Sequence, residues 1–305
     1  MIKANAVKQS YNRRQRKDNI EGFLFAFPPM LRFLLFNLVP LAVGLIVAFM
    51  NTNRSYDFTQ GTFCGLENFK TILTDAVFWQ SIGNTLYLGL SWVISMALAM
   101  VVSVFLAGQI KGKAFFRLVY YLPFVCSTVA ITLIWQVLLD YNYGAVNTII
   151  DFLGGARIDF KGDPDWYLPG LVIMTAWSTM GYKIVILTAA LTNVNRSYYE
   201  AASLDGANAW QKFVHVTMPA ISPTVFYLAV TGLINVLQEF TRSQVWAPDG
   251  GPNGKGITIV FYLYREGFDY TNMGTASAVA WVLSIMIVLV TIANFALSKK
   301  WVKYD

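Results

Sequence analysis

Three ionisable residues stand inside stretches that are otherwise apolar: Lys183, Glu239 and Arg242. A charge at the middle of a bilayer costs about 2.5–3.5 kcal/mol on insertion scales, so it requires a partner or a watery cavity. Glu239 and Arg242 are three apart, which puts them on one helical face. Either they neutralise each other or they line a polar path. Asn235 and Gln238 border the same face. Lys183 lies nine residues from the end of its own stretch, about 13 Å of helix. It either snorkels to that end or faces a cavity. Trp177 and Tyr182 occupy the same stretch. Their rings offer an apolar face to the C–H groups of a solute, and tyrosine adds a hydroxyl. Ordinary packing is the competing reading, given 22 Phe, 16 Tyr and 9 Trp in the chain.

A second constellation occupies residues 193–219, NVNRSYYEAASLDGANAWQKFVHVTMP. This segment is too polar to cross a bilayer, yet it carries helix signals throughout. Ser197 with Glu200 three residues on forms a capping box, so a helix is expected to start there. Gly206 can adopt the left-handed conformation that ends it. Asn208 with Gln211 caps a second short helix, whose apolar residues Trp210, Phe213 and Val214 fall at helical spacing. Pro219 then opens the next apolar stretch, where a missing backbone donor costs little. Ala201 and Ala202 keep one side thin enough for another protein to approach. An amphipathic segment lying on lipid headgroups is the alternative.

Other chemistries find little support. His215 is the one histidine, and Cys64 and Cys126 form neither a metal spacing nor a disulfide framework. Metal-dependent or Ser/His/Asp hydrolysis is therefore not expected. No G-x-x-x-x-G-K-[ST] loop is present to cradle a nucleotide phosphate.

The elements that must hold these residues follow from composition. Of 305 residues, 56% are hydrophobic and only 13% charged, against roughly a quarter charged in soluble domains. Six stretches are long enough to span a membrane: Phe23–Met50, Ile82–Ala107, Leu118–Leu139, Leu168–Thr192, Ala220–Trp246 and Thr275–Ser298. An all-α polytopic membrane protein is expected, with a basic leader (1–22), a six-span domain (23–298) and a short tail (299–305). The first stretch opens too late behind a polar leader for a cleaved signal peptide, and Arg32 near its inner end marks the interface. Lys3, Lys8, Arg13, Arg14, Arg16, Lys17, Lys111, Lys113, Arg117, Arg196, Lys212, Lys299, Lys300 and Lys303 fall on one face. Only Arg54, Lys70, Arg157, Lys161, Lys255 and Arg265 fall on the other. Basic loops stay inside, so both termini are expected in the cytoplasm. The net charge of +6 then orients the protein, and nucleic-acid binding is not expected. The outer loops 51–81, 140–167 and 247–274 carry acidic residues, including Asp57, and turn signals such as Gly250-Gly251-Pro252. They serve as solvated connectors or as a dock for an external partner.

Glu200-Ala201-Ala202, then Gly206, then Val216-Thr217-Met218-Pro219 resembles the EAA signature, E-A-A-x3-G-x9-I-x-L-P, of ABC-importer permeases. Val216 and Met218 stand for its Ile and Leu, and Asp205-Gly206-Ala207 matches its fuller form. Lys111-Gly112-Lys113-Ala114-Phe115-Phe116-Arg117 with Leu122-Pro123, the Gly250-Gly251-Pro252 loop and Met273–Ala278 extend the likeness. Together they resemble the MalF/UgpA-like carbohydrate branch of type I importers. The resemblance implies a permease paired with a second, homologous permease in a heterodimer. It further implies two cytoplasmic ATPases that bind ATP and magnesium, and an extracytoplasmic solute-binding protein delivering a carbohydrate. No cofactor is expected in this chain. The coupling role would fall on Glu200, Ala201, Ala202, Leu204, Asp205, Gly206, Trp210 and Pro219. The family's sugar path would pass Trp177, Tyr182, Lys183, Asn235, Gln238 and Glu239. Lys183 replaces the family's usual apolar or aromatic residue, which points to an acidic substrate or to an internal pair with Glu239. The same machinery carrying an amino acid, phosphate or polyamine is the near alternative. An ion-driven transporter would show inverted repeats with broken helices, and no such symmetry is visible. A membrane enzyme would need clustered acid and base residues near one interface, which are also missing.

Overall fold

The computed structural model describes residues 2–52, 61–108 and 110–303. Arg54, Asp57 and the last two residues of the tail lie outside the described residues. Helices dominate. The first run comprises α1 (Ile2–Phe33), a π-helical turn (Leu34–Leu38) and α2 (Val39–Ala48). A two-residue ribbon follows, β1 (Met50–Asn51) antiparallel to β2 (Thr62–Phe63), with Met50 opposite Phe63. Then come α3 (Glu67–Thr74), α4 (Ala76–Ala107), α5 (Lys113–Val125), α6 (Thr128–Leu138), α7 (Ala145–Phe152) and α8 (Pro164–Thr192). The second half holds α9 (Arg196–Leu204), α10 (Ala209–Lys212), a π-helical turn (Phe213–Thr217) and α11 (Met218–Leu237). It closes with α12 (Thr241–Trp246), α13 (Ile259–Tyr264) and α14 (Met273–Ser298).

Among the described residues, five helical runs are long and apolar enough to cross a membrane, and α5 with α6 makes a sixth if counted together. The expected number of crossings therefore holds, but several of the expected bounds change; the second run starts at Ala76 and the fourth at Pro164. The stretch Leu118–Leu139 is not one straight helix: α5 and α6 meet at 101°. Pro123 removes a backbone donor near the end of α5, and Cys126 turns to extended backbone (φ −69°, ψ 153°). The fifth run spans residues 209–237 instead of 220–246. It starts early because Asn208 caps it, and it stops at Leu237 because Gln238 and Phe240 leave helical backbone. The first run reaches back to Lys17. Its π-helical turn and the one before α11 share a cause. Each is followed within two residues by a proline, Pro40 or Pro219, and a widened turn relieves the clash of the ring with the preceding carbonyl. Pro219 thus sits inside a continuous run and does not open it.

The main helix pairing is α4 against α8. Ser81, Ser91, Ser95, Ala99 and Ser103 form a buried small-residue stripe on α4 that lets the two backbones approach. Ser103 Oγ donates to the Ile184 carbonyl of α8 at 3.1 Å. α5 packs on α8 at Gly181, where a side chain would collide with the backbone of Tyr120. On the outer side, Gly251 holds a left-handed conformation (φ +69°) against the Tyr167 ring. Asn84 of α4 fastens this loop by donating to Gly254 and Ile257 carbonyls at 2.9 and 3.0 Å. Asp75 caps α4 through the Val77 amide at 2.8 Å and accepts from Tyr262 at 2.6 Å. Burial, reinforced by that hydrogen bond, pushes the Tyr262 phenol upward and keeps it a neutral donor.

Candidate functional site

The helices α4, α5, α8, α11 and α12 enclose a cavity of about 90 Å³ at mid-span. Of the residues expected on a solute path, Tyr182, Lys183, Asn235 and Glu239 line it, and Arg242 joins them. Lys183 is buried, and its ammonium donates to Ser95 Oγ of α4 and to Thr179 Oγ1 at 3.3 Å. The pair with Glu239 does not form. Glu239 is held instead by Arg242, through the guanidinium Nη1 and through the backbone amide at 3.0 Å. The carboxylate caps the short helix α12 as it neutralises the arginine. The two residues therefore face each other across a helix break, not along one helical face. A longer-range contact pins that break: Thr258 Oγ1 donates to the Glu239 carbonyl at 2.7 Å.

Two expected residues lie elsewhere. Trp177 is exposed on the flank of α8, edge-on to Trp135 at 5.6 Å, and does not line the cavity. Gln238 is exposed at the break and is also outside the lining. In their place stand aromatic residues that sequence reasoning passed over. Phe124 stacks on Tyr182 at 5.0 Å, and the Tyr182 hydroxyl hydrogen-bonds with Tyr227 at 3.1 Å. Trp92 packs against Gly232, with its indole donating to the Leu228 carbonyl at 3.2 Å. Trp92 and Gly232 are 140 positions apart in the chain, so no local signal joins them. Serines spaced along one face of α4 were the available clue.

The polar segment folds as a helix pair. Asn195, not Ser197, caps α9: its side chain accepts from the Ser197 amide at 3.0 Å. The expected Ser197–Glu200 box is absent because Glu200 turns outward to Arg196 (3.4 Å) in an exposed ion pair. The helix ends as foreseen. Gly206 takes φ +77°, the Ala207 amide donates to Ala202 at 2.9 Å, and the Gly206 amide donates to Ser203 at 3.1 Å. That is a Schellman closure. Next, Asn208 and Gln211 form the reciprocal capping box at 2.8 and 2.9 Å. Lys212 Nζ ties the two helices by donating to Ser203 Oγ at 2.7 Å. Tyr199 and Thr217 join across their hydroxyls at 2.9 Å. Leu204 (91% exposed) and Trp210 (71% exposed) project from this rigid frame, with Trp210 stacked on Phe213 at 5.7 Å. Beside them a groove is lined by Ala201, Ala202, Asp205 and Pro219. The eight expected coupling residues therefore share one end of the molecule.

Among the described residues, no cluster of His, Cys, Asp or Glu is arranged to hold a metal ion, and both cysteines are free thiols. Apolar helices around a mostly apolar cavity that holds Lys183, Glu239 and Arg242, with a firmly capped helix pair at one end, fit a membrane component of a transport system. The chain belongs to the family of binding-protein-dependent transport system inner membrane components, whose model matches residues 99–303. It is 34% identical to the probable ABC transporter permease protein YesP of Bacillus subtilis, over 99% of this chain and 97% of that one. It is 29% identical to the arabinooligosaccharides transport system permease protein AraP of Halalkalibacterium halodurans, over 94% and 90%. A chain of a bacterial alginate ABC transporter, solved in complex with an alginate pentasaccharide-bound periplasmic protein, superposes with a TM-score of 0.79. It is 23% identical, over 96% of this chain and 98% of that one. This likeness shows that the fold is that of an ABC-importer permease.

Proposed function

We propose that this permease carries an oligosaccharide handed over by an extracytoplasmic solute-binding protein. In this reading residues 193–219 dock on a cytoplasmic ATPase, and the cavity at mid-span holds the passing sugar. The permease works as a heterodimer with a homologous subunit and with two ATPases, which bind the ATP and magnesium. Both termini, leader 1–22 and tail 299–305, face the cytoplasm on either side of the domain 23–298. Two of the similar proteins are named for arabinooligosaccharide and alginate, which favours a carbohydrate over an amino acid, phosphate or polyamine.

The observation that carries the reading is the form of the helix pair. Two exposed apolar side chains, Leu204 and Trp210, are held out by three separate capping devices. A segment that only lay on headgroups would gain nothing from being fixed this firmly, whereas a strut that transmits force must be rigid. The cavity adds aromatic faces and hydroxyls from Trp92, Tyr182, Thr179 and Thr231, the mixture that sugar rings engage. The test is uptake of labelled oligosaccharides by proteoliposomes holding the permease pair, the ATPases and the binding protein. ATP-dependent accumulation of an oligosaccharide is expected. Accumulation of a non-sugar solute alone would replace the carbohydrate assignment.

A further inference from the structure

Lys183 is 5% exposed, yet its ammonium meets only two neutral oxygens, Ser95 Oγ and Thr179 Oγ1. A lysine ammonium has three hydrogens to donate, so one remains for a further acceptor. The acid that shares the cavity, Glu239, is committed to Arg242 by two hydrogen bonds. The described lining residues include no other carboxylate, so the wall carries one positive charge in excess. Two further polar atoms of the same wall, Thr175 Oγ1 and Arg242 Nε, are buried without a hydrogen-bond partner. Native proteins rarely leave such groups unpaired, and a buried charge without a counter-charge is among the most unfavourable arrangements a fold retains. A lysine kept under these conditions is arranged to meet an anionic partner.

We infer that the cavity is built for an anionic sugar, with the Lys183 ammonium receiving a carboxylate of the passing uronate unit. The inference rests on the proposal that a carbohydrate crosses here, and it adds the charge of that carbohydrate. The surroundings fit a uronate better than a small inorganic anion. The stacked pair Phe124–Tyr182 and the indole of Trp92 line the same cavity as the lysine, aromatic surface that a pyranose can use and a phosphate cannot. Lys183 is thereby a specificity-determining residue, and Ser95 and Thr179 are positioning residues that aim its ammonium.

The experiment uses the complete transporter in proteoliposomes and two probes, a hexuronic-acid trisaccharide and its carboxyl-reduced neutral counterpart. Wild type is expected to take up the acidic trisaccharide with a kcat/KM at least tenfold above that of the reduced form, the scale of one charge-assisted hydrogen bond. Lys183→Met and Lys183→Gln should both erase that preference, and Lys183→Arg should keep it. The preference ratio is internal to each preparation, and co-purification of the full complex reports assembly. Equal uptake of both probes by wild type would overturn the charge inference and leave the carbohydrate reading standing. So would an unchanged preference in the neutral variants, because selection would then reside in the binding protein. Uptake of neither trisaccharide, beside robust uptake of another solute, would sink both readings.

Discussion

The cavity and the capped helix pair are opposite solutions to holding functional groups in place. Cavity residues come from several helices, and groups distant in sequence help to fix them: Lys183 by Ser95, the Glu239 carbonyl by Thr258, Trp92 by Leu228 and Gly232. The helix pair is fixed almost wholly from within, by Asn195, Gly206, Asn208 and Gln211. Its outer side chains are free to meet another protein. Damage should therefore appear differently in the two regions. A lesion in the cavity breaks the bundle as well as the site, whereas a lesion in the helix pair leaves the bundle whole and breaks its connection to whatever drives it.

The largest effect should come from Glu239→Ala. Removing one partner of a fully buried ion pair typically costs about 3–5 kcal/mol; this pair is 12–15% exposed, so the lower end is expected, and the Arg242 amide also loses its acceptor. Thermal unfolding of the purified complex should show it, while Gln238→Ala, one residue away and exposed, should stay within about 0.5 kcal/mol. Similar losses from both would erase the claimed contrast within the break. Next is Gly232→Val, which drives a side chain into Trp92. Overpacking of this kind costs about 1–3 kcal/mol, and uptake should fall with displacement of the indole, visible as a change in tryptophan fluorescence. An unaltered spectrum would place Trp92 elsewhere. The smallest effect belongs to the helix pair. Asn195→Ala removes a true cap and should cost about 1 kcal/mol of local stability, read by hydrogen exchange across residues 196–204. Ser197→Ala should do little, and the reverse ranking would restore the sequence-based cap.

That pair of caps also shows what a sequence can reveal. Gly206, the Asn208–Gln211 box and the EAA-like spacing are local patterns, and local backbone rules decide them. Ser197–Glu200 satisfied the same rules but lost to Asn195, a residue two positions earlier that makes an equivalent bond without needing Glu200. Apolar length gave the number of crossings, because bilayer thickness sets it. It missed the 101° bend at Cys126–Ser127 and the early end of the fifth run, since apolar residues resume beyond Ser127, and Gln238–Arg242 read equally well as polar groups inside a continuing span as the end of one. The charged residues Lys183, Glu239 and Arg242 were legible as exceptions in an apolar context. Their partners were not, because Ser95 is 88 positions from Lys183 and only the packing of α4 on α8 brings them together.

In the proposed reading, one chain carries solute at mid-span and receives its driving force through residues 193–219. The most direct test is the ratio of ATP hydrolysed to solute imported by the reconstituted transporter bearing Gly206→Val. The change adds no clash, since nothing lies within 4 Å of a side chain there. It forces a β-branched residue into the left-handed region, a strain of about 1–2 kcal/mol released by opening the turn. The expected result is an assembled complex that still hydrolyses ATP while uptake falls at least tenfold. Hydrolysis and uptake remaining in the wild-type ratio, with the turn shown to be distorted, would contradict it.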